Sequence, residues 1–198
     1  VVAPQAGCCG AVKFHLGDQD GAKAQMRANI DAWWPYVDDS ERNSSETRVE
    51  AIVMNASGCG VTVKEYGHYL KDDLAYAEKA HRISALTQDL GELLPGIAAT
   101  LQAQHPGLVA HIVAHAPKLA FHPPCTLQHG QRLKGGVETH LAALGFDIQV
   151  ARCEAHLCCG SAGTYSVLNP TLAYQLRDRK LGHLAELAPQ TIVSANIG

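Results

Sequence analysis

Three features that mark common functional classes are missing from the sequence. No apolar run approaches the roughly 20 residues that a helix needs to cross a bilayer. No cluster of lysines and arginines accompanies the net charge of -3, and no G-x-G-x-x-G nucleotide fingerprint is present. We therefore expect a soluble chain without a signal peptide, with no nucleic-acid partner and with no means of oxidising a substrate by itself.

The cysteines argue against a disulfide framework, because there are seven of them and an odd number cannot close. Disulfide-dense proteins are usually small, whereas 198 residues, 46% of them hydrophobic, can form one large domain or two small ones. We expect a reducing compartment in which thiolates serve as metal or cluster ligands. Buried structural cysteines and thiol catalysis are the alternatives. The cysteines are Cys8, Cys9, Cys59, Cys125, Cys153, Cys158 and Cys159.

The triplet Cys-Cys-Gly occurs twice, at residues 8–10 and 158–160. A helical pattern and then a strand pattern follow each triplet, and the strands run into "NASGCG" and "SANIG". This internal repeat predicts a first repeat over residues 1–105 and a second over residues 106–198. We expect the first to be incomplete at its N-terminus and the second at its C-terminus, so that each lacks one cysteine.

Apolar periodicity predicts alternating helices and strands, and hence an α/β fold of two pseudo-symmetric units with short, mostly parallel sheets flanked by helices. Pro35 is expected to end the first helix, and "NASGCG" to form a turn that holds Cys59. Residues 38–48 are predicted to be a polar loop, and residues 106–118 a partly packed connection. Predicted helices cover residues 22–34, 76–94, 133–144 and 170–187. Predicted strands cover residues 1–3, 51–54, 118–121, 146–150 and 191–195.

A family resemblance spans nearly the whole chain. The pattern Cys…Cys-Cys-Gly…Cys, present twice, resembles the cysteine-rich "CCG" domain of heterodisulfide reductases and their relatives. Longer stretches are similar to the C-terminal region of one branch, the iron–sulfur subunits of glycolate oxidase (glycolate dehydrogenase). Those stretches are "AGCCGAV", "NIDAWWP", "ASGCG", "VKEYG", "CTLQH", "HLCCGSAGTY", "QLRD" and "ANIG".

The resemblance implies an iron–sulfur site in each repeat, since such clusters are held by cysteine thiolates. A non-cubane four-iron cluster is one form of that cofactor. Zinc in one site, and a fragment with nothing bound, are the alternatives. We expect Gly10 and Gly160 to adopt positive φ, which lets the backbone come close to the sulfur atoms. The implied ligands are Cys8, Cys9 and Cys59 in the first repeat and Cys125, Cys158 and Cys159 in the second.

For function, the resemblance implies an oxidoreductase subunit that relays electrons from a flavoprotein toward a quinone-type acceptor and does not act on glycolate itself. A zinc-binding structural or assembly module and a thiol-disulfide oxidoreductase of the heterodisulfide reductase type are the alternatives. The implied partners are flavoprotein subunits and an N-terminal ferredoxin-like part, whose two C-x-x-C-x-x-C-x-x-x-C-P runs are absent from this chain. The expected location is the cytoplasm, with peripheral association at the inner face of the cell membrane as a further option.

Five residues near these motifs have simpler interpretations. Cys153 has no counterpart in the other repeat and is expected to be structural. His129 and His156 lie close to cysteines in sequence, but we expect them at the surface or beside a centre rather than bound to metal. Trp33 and Trp34 are expected to pack in the core, with a partner-docking surface as the alternative.

Overall fold

The computed structural model of the chain describes residues 2–38 and 49–196. Within these residues the chain forms short sheets flanked by helices, which confirms the predicted α/β class. The strands are β1 (Ile52–Met54), β2 (Thr87–Asp89), β3 (Leu119–His122), β4 (Ile148–Val150) and β5 (Thr191–Ser194). The α-helices are α1 (Ala11–His15), α2 (Gln19–Val37), α3 (Ser57–Lys64), α4 (Tyr66–Tyr69), α5 (Ala77–Leu86), α6 (Leu90–Gln104), α7 (Leu108–His115), α8 (Gly136–Ala143), α9 (Tyr165–Leu168) and α10 (Pro170–Ala185), and a π-helix covers Thr126–Gly130.

The chain packs as two compact units. The N-terminal unit consists of residues 1–54 and 58–88, and the C-terminal unit of residues 55–57 and 89–198. The boundary that the sequence repeat predicts, at residue 105, stays a prediction, because packing units and sequence repeats are different properties.

Helix α2 organises the core of the N-terminal unit. The Asp18 carboxylate accepts a hydrogen bond of 2.9 Å from the Gly21 backbone N–H and caps the first turn of the helix. Residues spaced one turn apart then form a fully buried apolar stripe. Cys9 belongs to the same buried cluster, so α2 positions the first Cys-Cys-Gly triplet. The stripe consists of Ala22, Met26 and Ile30.

The C-terminal unit is built on a three-stranded sheet with β3 at its centre. Both neighbours run parallel to β3, and Leu119 pairs with Ile148 of β4 and with Thr191 of β5. The first three residues of β3 are buried, as expected for a central parallel strand that is covered on both faces. Because parallel strands end at the same sheet edge, the segments leading to Cys125 and to the second triplet both begin there.

Most of the predicted elements are confirmed, with ends shifted by a few residues. Strands β1, β3, β4 and β5 and helices α2, α8 and α10 lie where apolar periodicity placed them. The strand predicted at the N-terminus is wrong for Val2 and Ala3, which lie outside any strand, and Val1 lies outside the described residues. Residues 39–48 of the predicted polar loop also lie outside them.

Two helices continue through residues that were expected to break them. Helix α2 passes Pro35 and ends at Val37. The proline removes one backbone hydrogen bond of the helix, but burial of the Val37 side chain stabilises the last turn. Cys59 lies within α3 rather than in a turn. The glycines of "NASGCG" indicated a turn, yet they are tolerated in α3, which packs the fully buried Val63 into the core of the N-terminal unit.

Residues 76–118 form three helices, where one long helix and a connection were predicted. Strand β2 separates α5 from α6, because Asp89 and Glu92 form a capping box that starts a new helix. The Asp89 carboxylate accepts from the Gly91 N–H at 2.9 Å, and the Glu92 carboxylate accepts from the Asp89 N–H at 2.7 Å. Helix α7 replaces the connection, since "LVAHIVAH" has apolar residues at helical spacing.

Candidate metal centres

The two Cys-Cys-Gly triplets share a local backbone geometry. Gly10 has φ +93° and Gly160 has φ +86°, which confirms the positive φ expected of both. A Cβ atom on Gly10 would lie 3.0 Å from the carbonyl oxygen of Ala22, and one on Gly160 would lie 2.2 Å from that of Ala173. Each triplet therefore needs glycine for its conformation and for its close approach to a helix, which is α2 for the first triplet and α10 for the second.

In the N-terminal unit, the thiols of Cys8, Cys9 and Cys59 interact with one another. The Cys9 S–H donates a hydrogen bond to the Cys59 sulfur, which raises the pKa of Cys9 and lowers the pKa of Cys59 to about 7. Burial of Cys59 and the nearby Cys8 thiol act against that lowering. Cys8 is exposed, whereas Cys9 is buried, so the group spans the surface and the core.

Asn29 and Tyr66 hold the backbone of the first triplet. The Asn29 side-chain amide accepts from the Gly7 N–H at 2.7 Å and donates to the Cys8 carbonyl oxygen at 2.9 Å. The Tyr66 hydroxyl accepts from Asn29 at 3.1 Å and donates to the Cys9 carbonyl oxygen at 2.8 Å. Both side chains are at most 1% exposed, and burial raises the pKa of Tyr66. These hydrogen bonds fix the backbone of Cys8 and Cys9 and therefore orient their side chains.

In the C-terminal unit, Cys125 interacts electrostatically with Cys158 and Cys159. Burial raises the pKa of the Cys125 thiol, and the nearby thiols of Cys158 and Cys159 add to that effect. The Gly160 backbone N–H donates to the Cys158 sulfur at 3.3 Å. A backbone donor of this kind stabilises sulfur that carries negative charge, as a metal-bound thiolate does.

Helix α10 holds the loop that precedes Cys158. The Lys180 ammonium donates to the carbonyl oxygens of Glu154 at 3.2 Å and Ala155 at 2.9 Å. The Glu154 carboxylate accepts from the Arg179 guanidinium and from His183, at 2.7 Å and 2.8 Å. These two contacts lower the pKa of Glu154. The loop is strained at Glu154, whose φ is +49°, and the three side chains of α10 hold it in place.

Sequence reasoning missed Asn29, Tyr66 and Lys180. A signal existed for two of them, because each is a polar residue within the apolar stripe of its helix. Asn29 lies beside Met26 on the buried face of α2, and Lys180 lies in line with Ala173 and Leu184 on the buried face of α10. Such a residue in a core position indicates a specific partner.

The structure leaves the other cysteine and two histidines outside these groups. Cys153, His129 and His156 are exposed. Trp33 packs against the N-terminal core and stacks on Tyr66, with ring centroids 6.4 Å apart, as its predicted core role requires. Trp34 packs on the same core, and its indole N–H donates to the Asp38 carboxylate at 3.0 Å.

The donor sets have the chemistry that an iron–sulfur cluster takes, although they are not preassembled. Within residues 2–38 and 49–196, no group of three or more His, Cys, Asp or Glu side chains is arranged to hold a metal ion. All seven cysteines are free, and the thiols of each trio interact electrostatically. Sulfur ligands, a backbone donor to sulfur and a nearby buried cation suit a negatively charged cluster. The assignment of the six cysteines as ligands stays a prediction.

The family comparison bears directly on these two triplets. The cysteine-rich domain family CCG matches residues 1–64 and 119–198, which contain all six candidate ligands. The chain belongs to this family. The resemblance found in the sequence is thereby confirmed.

Named relatives cover the whole chain. It is 48% identical, over 99% of its length, to the "Glycolate oxidase iron-sulfur subunit" of Escherichia coli (strain K12), and covers 44% of that protein. It is 27% identical, over 100% of its length, to the "Probable glycolate oxidase iron-sulfur subunit" of Bacillus subtilis (strain 168), of which it covers 40%. It is also 27% identical, over 96% of its length, to "Lactate utilization protein A" of Geobacillus thermodenitrificans (strain NG80-2), of which it covers 71%.

The chain thus spans less than half the length of these two glycolate oxidase subunits. No solved structure matches it.

Proposed function

We propose that this chain is the cysteine-rich part of an iron–sulfur subunit of a glycolate oxidase, or of an oxidoreductase for a related 2-hydroxy acid. In this proposal it relays electrons from a flavoprotein subunit toward a quinone-type acceptor. The observation that carries the proposal is the pair of Cys-Cys-Gly triplets, each with three interacting thiols, in a chain 48% identical to a glycolate oxidase iron–sulfur subunit.

The six cysteines would hold the cofactor. Thiolate-bound iron and sulfide supply one-electron acceptor and donor chemistry at potentials that the surrounding protein sets. In the N-terminal unit, Asn29 and Tyr66 keep Cys8 and Cys9 oriented, and the apolar cluster around Cys9 excludes water. In the C-terminal unit, the Gly160 N–H donates to Cys158. These groups therefore position sulfur and shield it, and none is proposed to act on glycolate.

The proposed partners are the proteins that would oxidise the substrate and deliver its electrons to this chain. Oxidation of a 2-hydroxy acid would take place on flavoprotein subunits, and electrons would enter through a ferredoxin-like part of the same subunit. No helix in the described part of the chain is long and apolar enough to span a membrane. We propose a cytoplasmic protein that can associate peripherally with the inner face of the cell membrane, where a quinone-type acceptor would be reached.

The test uses the full-length complex, purified anaerobically, with Cys158 and Cys159 both changed to Ser. We expect glycolate still to reduce the flavin in the partner subunit, while onward electron transfer to the acceptor is slowed or lost. Iron and acid-labile sulfide should fall in parallel. The matched control is Cys153→Ser, because Cys153 lies in the same unit but is exposed and outside both trios.

Other results would select the alternatives. Zinc without sulfide in the wild-type protein would indicate a structural module. Loss of flavin reduction with normal onward transfer from a reduced flavin would contradict the relay role. Disulfide reduction by metal-free protein that needs the adjacent cysteines would favour a thiol-disulfide oxidoreductase.

A further inference from the structure

Lys180 is a buried cation in the C-terminal unit. Its side chain extends from α10, and the residue is only 3% exposed. Lysine is almost never buried this far without a partner, because removing an ammonium group from water is unfavourable unless other charges or dipoles compensate. The partners of this amine therefore indicate its role.

The hydrogen bonds of Lys180 give its ammonium group two acceptors but do not neutralise its positive charge. Its Nζ atom donates to the carbonyl oxygens of Glu154 and Ala155, which are dipoles without net charge. The nearest carboxylate along this loop, that of Glu154, is engaged by Arg179 and His183. Among the described residues no carboxylate forms an ion pair with Lys180. The Glu154 carboxylate, which pairs with Arg179 and His183, acts on the Lys180 charge only at longer range.

The other groups that can compensate it are the sulfur atoms of the candidate centre, which do so when they carry negative charge as thiolates. Lys180 interacts electrostatically with Cys125, Cys159 and Cys158. It also lines, together with Cys159, a cavity of about 380 Å³. The same two hydrogen bonds fix the backbone at residues 154 and 155, shortly before Cys158. The Lys180 ammonium group thus interacts electrostatically with the three cysteines, and it holds in place the loop that leads to Cys158.

We propose that Lys180 is the countercharge of the metal centre at Cys125, Cys158 and Cys159, a positioning residue that favours the reduced state of that centre. This inference rests on the proposed function, because it requires an electron-accepting centre at these cysteines. On reduction one electron enters the centre from the reductant, no bond forms or breaks, and the net charge of the centre becomes more negative by one. A fixed positive charge in a weakly screened interior stabilises that added charge.

The test is an anaerobic redox titration of the full-length subunit with dithionite and mediators, followed by absorption and electron paramagnetic resonance. Lys180→Gln keeps an N–H donor for the loop but removes the charge. We expect the one-electron equilibrium constant for reduction to fall about tenfold, equivalent to a potential about 59 mV lower. The matched control is Lys134→Gln, which removes the same charge from an exposed position in the same unit and should leave the potential unchanged.

Two further variants make each outcome decisive. Lys180→Arg keeps the charge and should retain most of the wild-type potential, whereas Lys180→Met removes both the charge and the donor. An unchanged potential in whichever neutral variant retains iron overturns the countercharge. Iron loss in both neutral variants, but not in Lys180→Arg, supports it. Iron loss in all three Lys180 variants would mean that Lys180 acts through packing, and it would also overturn the countercharge proposal. Absence of iron from the wild-type subunit contradicts the proposed function itself.

Discussion

The Tyr66 hydroxyl donates a hydrogen bond of 2.8 Å to the carbonyl oxygen of Cys9. The same hydroxyl accepts from the Asn29 amide, which in turn donates to the Cys8 carbonyl oxygen. Tyr66 begins α4, which follows the helix that carries Cys59, so its hydroxyl joins this part of the chain to the turn that carries the other two thiols. Because Cys9, Asn29 and Tyr66 are buried, their polar groups depend on one another for hydrogen bonds.

Tyr66→Phe should therefore destabilise the N-terminal unit without changing its packing. The substitution leaves the Cys9 carbonyl without its donor, and we expect a loss of about 1–3 kcal/mol in the free energy of unfolding. Urea unfolding followed by circular dichroism measures it. The control is Tyr69→Phe, because the Tyr69 hydroxyl donates to the exposed Glu65 carboxylate. This substitution should change the free energy of unfolding by no more than about 0.5 kcal/mol. Equal effects of the two substitutions would contradict a special role for Tyr66.

Gly160→Ala should be among the most destabilising single-methyl changes in the C-terminal unit. The added Cβ would lie 2.2 Å from the Ala173 carbonyl oxygen, and the φ of +86° disfavours any L-side chain. We expect a loss of about 2–5 kcal/mol from backbone strain and overpacking together. Thermal unfolding of the purified protein measures it.

The control for this change is Gly163→Ala. Gly163 also has positive φ, at +62°, but no atom lies within 4 Å of the added methyl group. The Gly163→Ala variant should lose only about 1–2 kcal/mol of unfolding free energy, because only the backbone conformation is strained. A loss at Gly160 no larger than that at Gly163 would show that the close approach to α10 is not a constraint.

The elements that could be predicted from the sequence are those in which local pattern and packing agree. Strand β3 is a short apolar run that became the central strand, and α10 begins at Pro170, a favourable first residue of a helix. The two Cys-Cys-Gly triplets could be found because the same sequence occurs twice, and both glycines adopt a similar positive φ.

The features that could not be predicted depend on contacts between distant residues. Apolar spacing continues from α5 into α6, so only the side-chain bonds of Asp89 and Glu92 reveal the break. Glycines normally indicate turns, and only burial of its neighbours keeps Cys59 in a helix. The position of Lys180 in the apolar stripe of α10 indicated a buried partner but not its identity, because the carbonyl groups that it binds lie 25 and 26 residues earlier.

Glu154→Gln should remove a pH-dependent part of the stability. Hydrogen bonds from Arg179 and His183 lower the pKa of Glu154 below its ordinary value of 4.5. A carboxyl group with a lowered folded-state pKa contributes stability that is present above its ordinary pKa and is lost as the pH falls through the folded-state pKa. The melting temperatures of wild type and Glu154→Gln should therefore differ near neutral pH and converge as the pH falls below 4.5 through the folded-state pKa.

The control for Glu154 is Glu138→Gln in α8, which removes a carboxylate of the same unit. The comparison separates the effect of the Arg179 and His183 contacts from the loss of a carboxylate as such. A Glu154→Gln difference that grows on acidification would mean that the carboxylate is destabilising, contrary to the contacts that it makes.

Cys59 should be the more reactive thiol of the Cys9–Cys59 pair in metal-free, reduced protein. The hydrogen bond from Cys9 lowers the pKa of Cys59 to about 7, so its thiolate, the reactive form, grows as pH rises through 7. Cys9 has its pKa raised and is buried, so it should be alkylated far more slowly. Residue-resolved alkylation by mass spectrometry, between about pH 5.5 and 9, measures both. Cys9→Ala removes the donor and should move the Cys59 midpoint upward, whereas Cys153→Ser should leave it in place. An unchanged midpoint in Cys9→Ala would show that the two sulfurs do not share a proton.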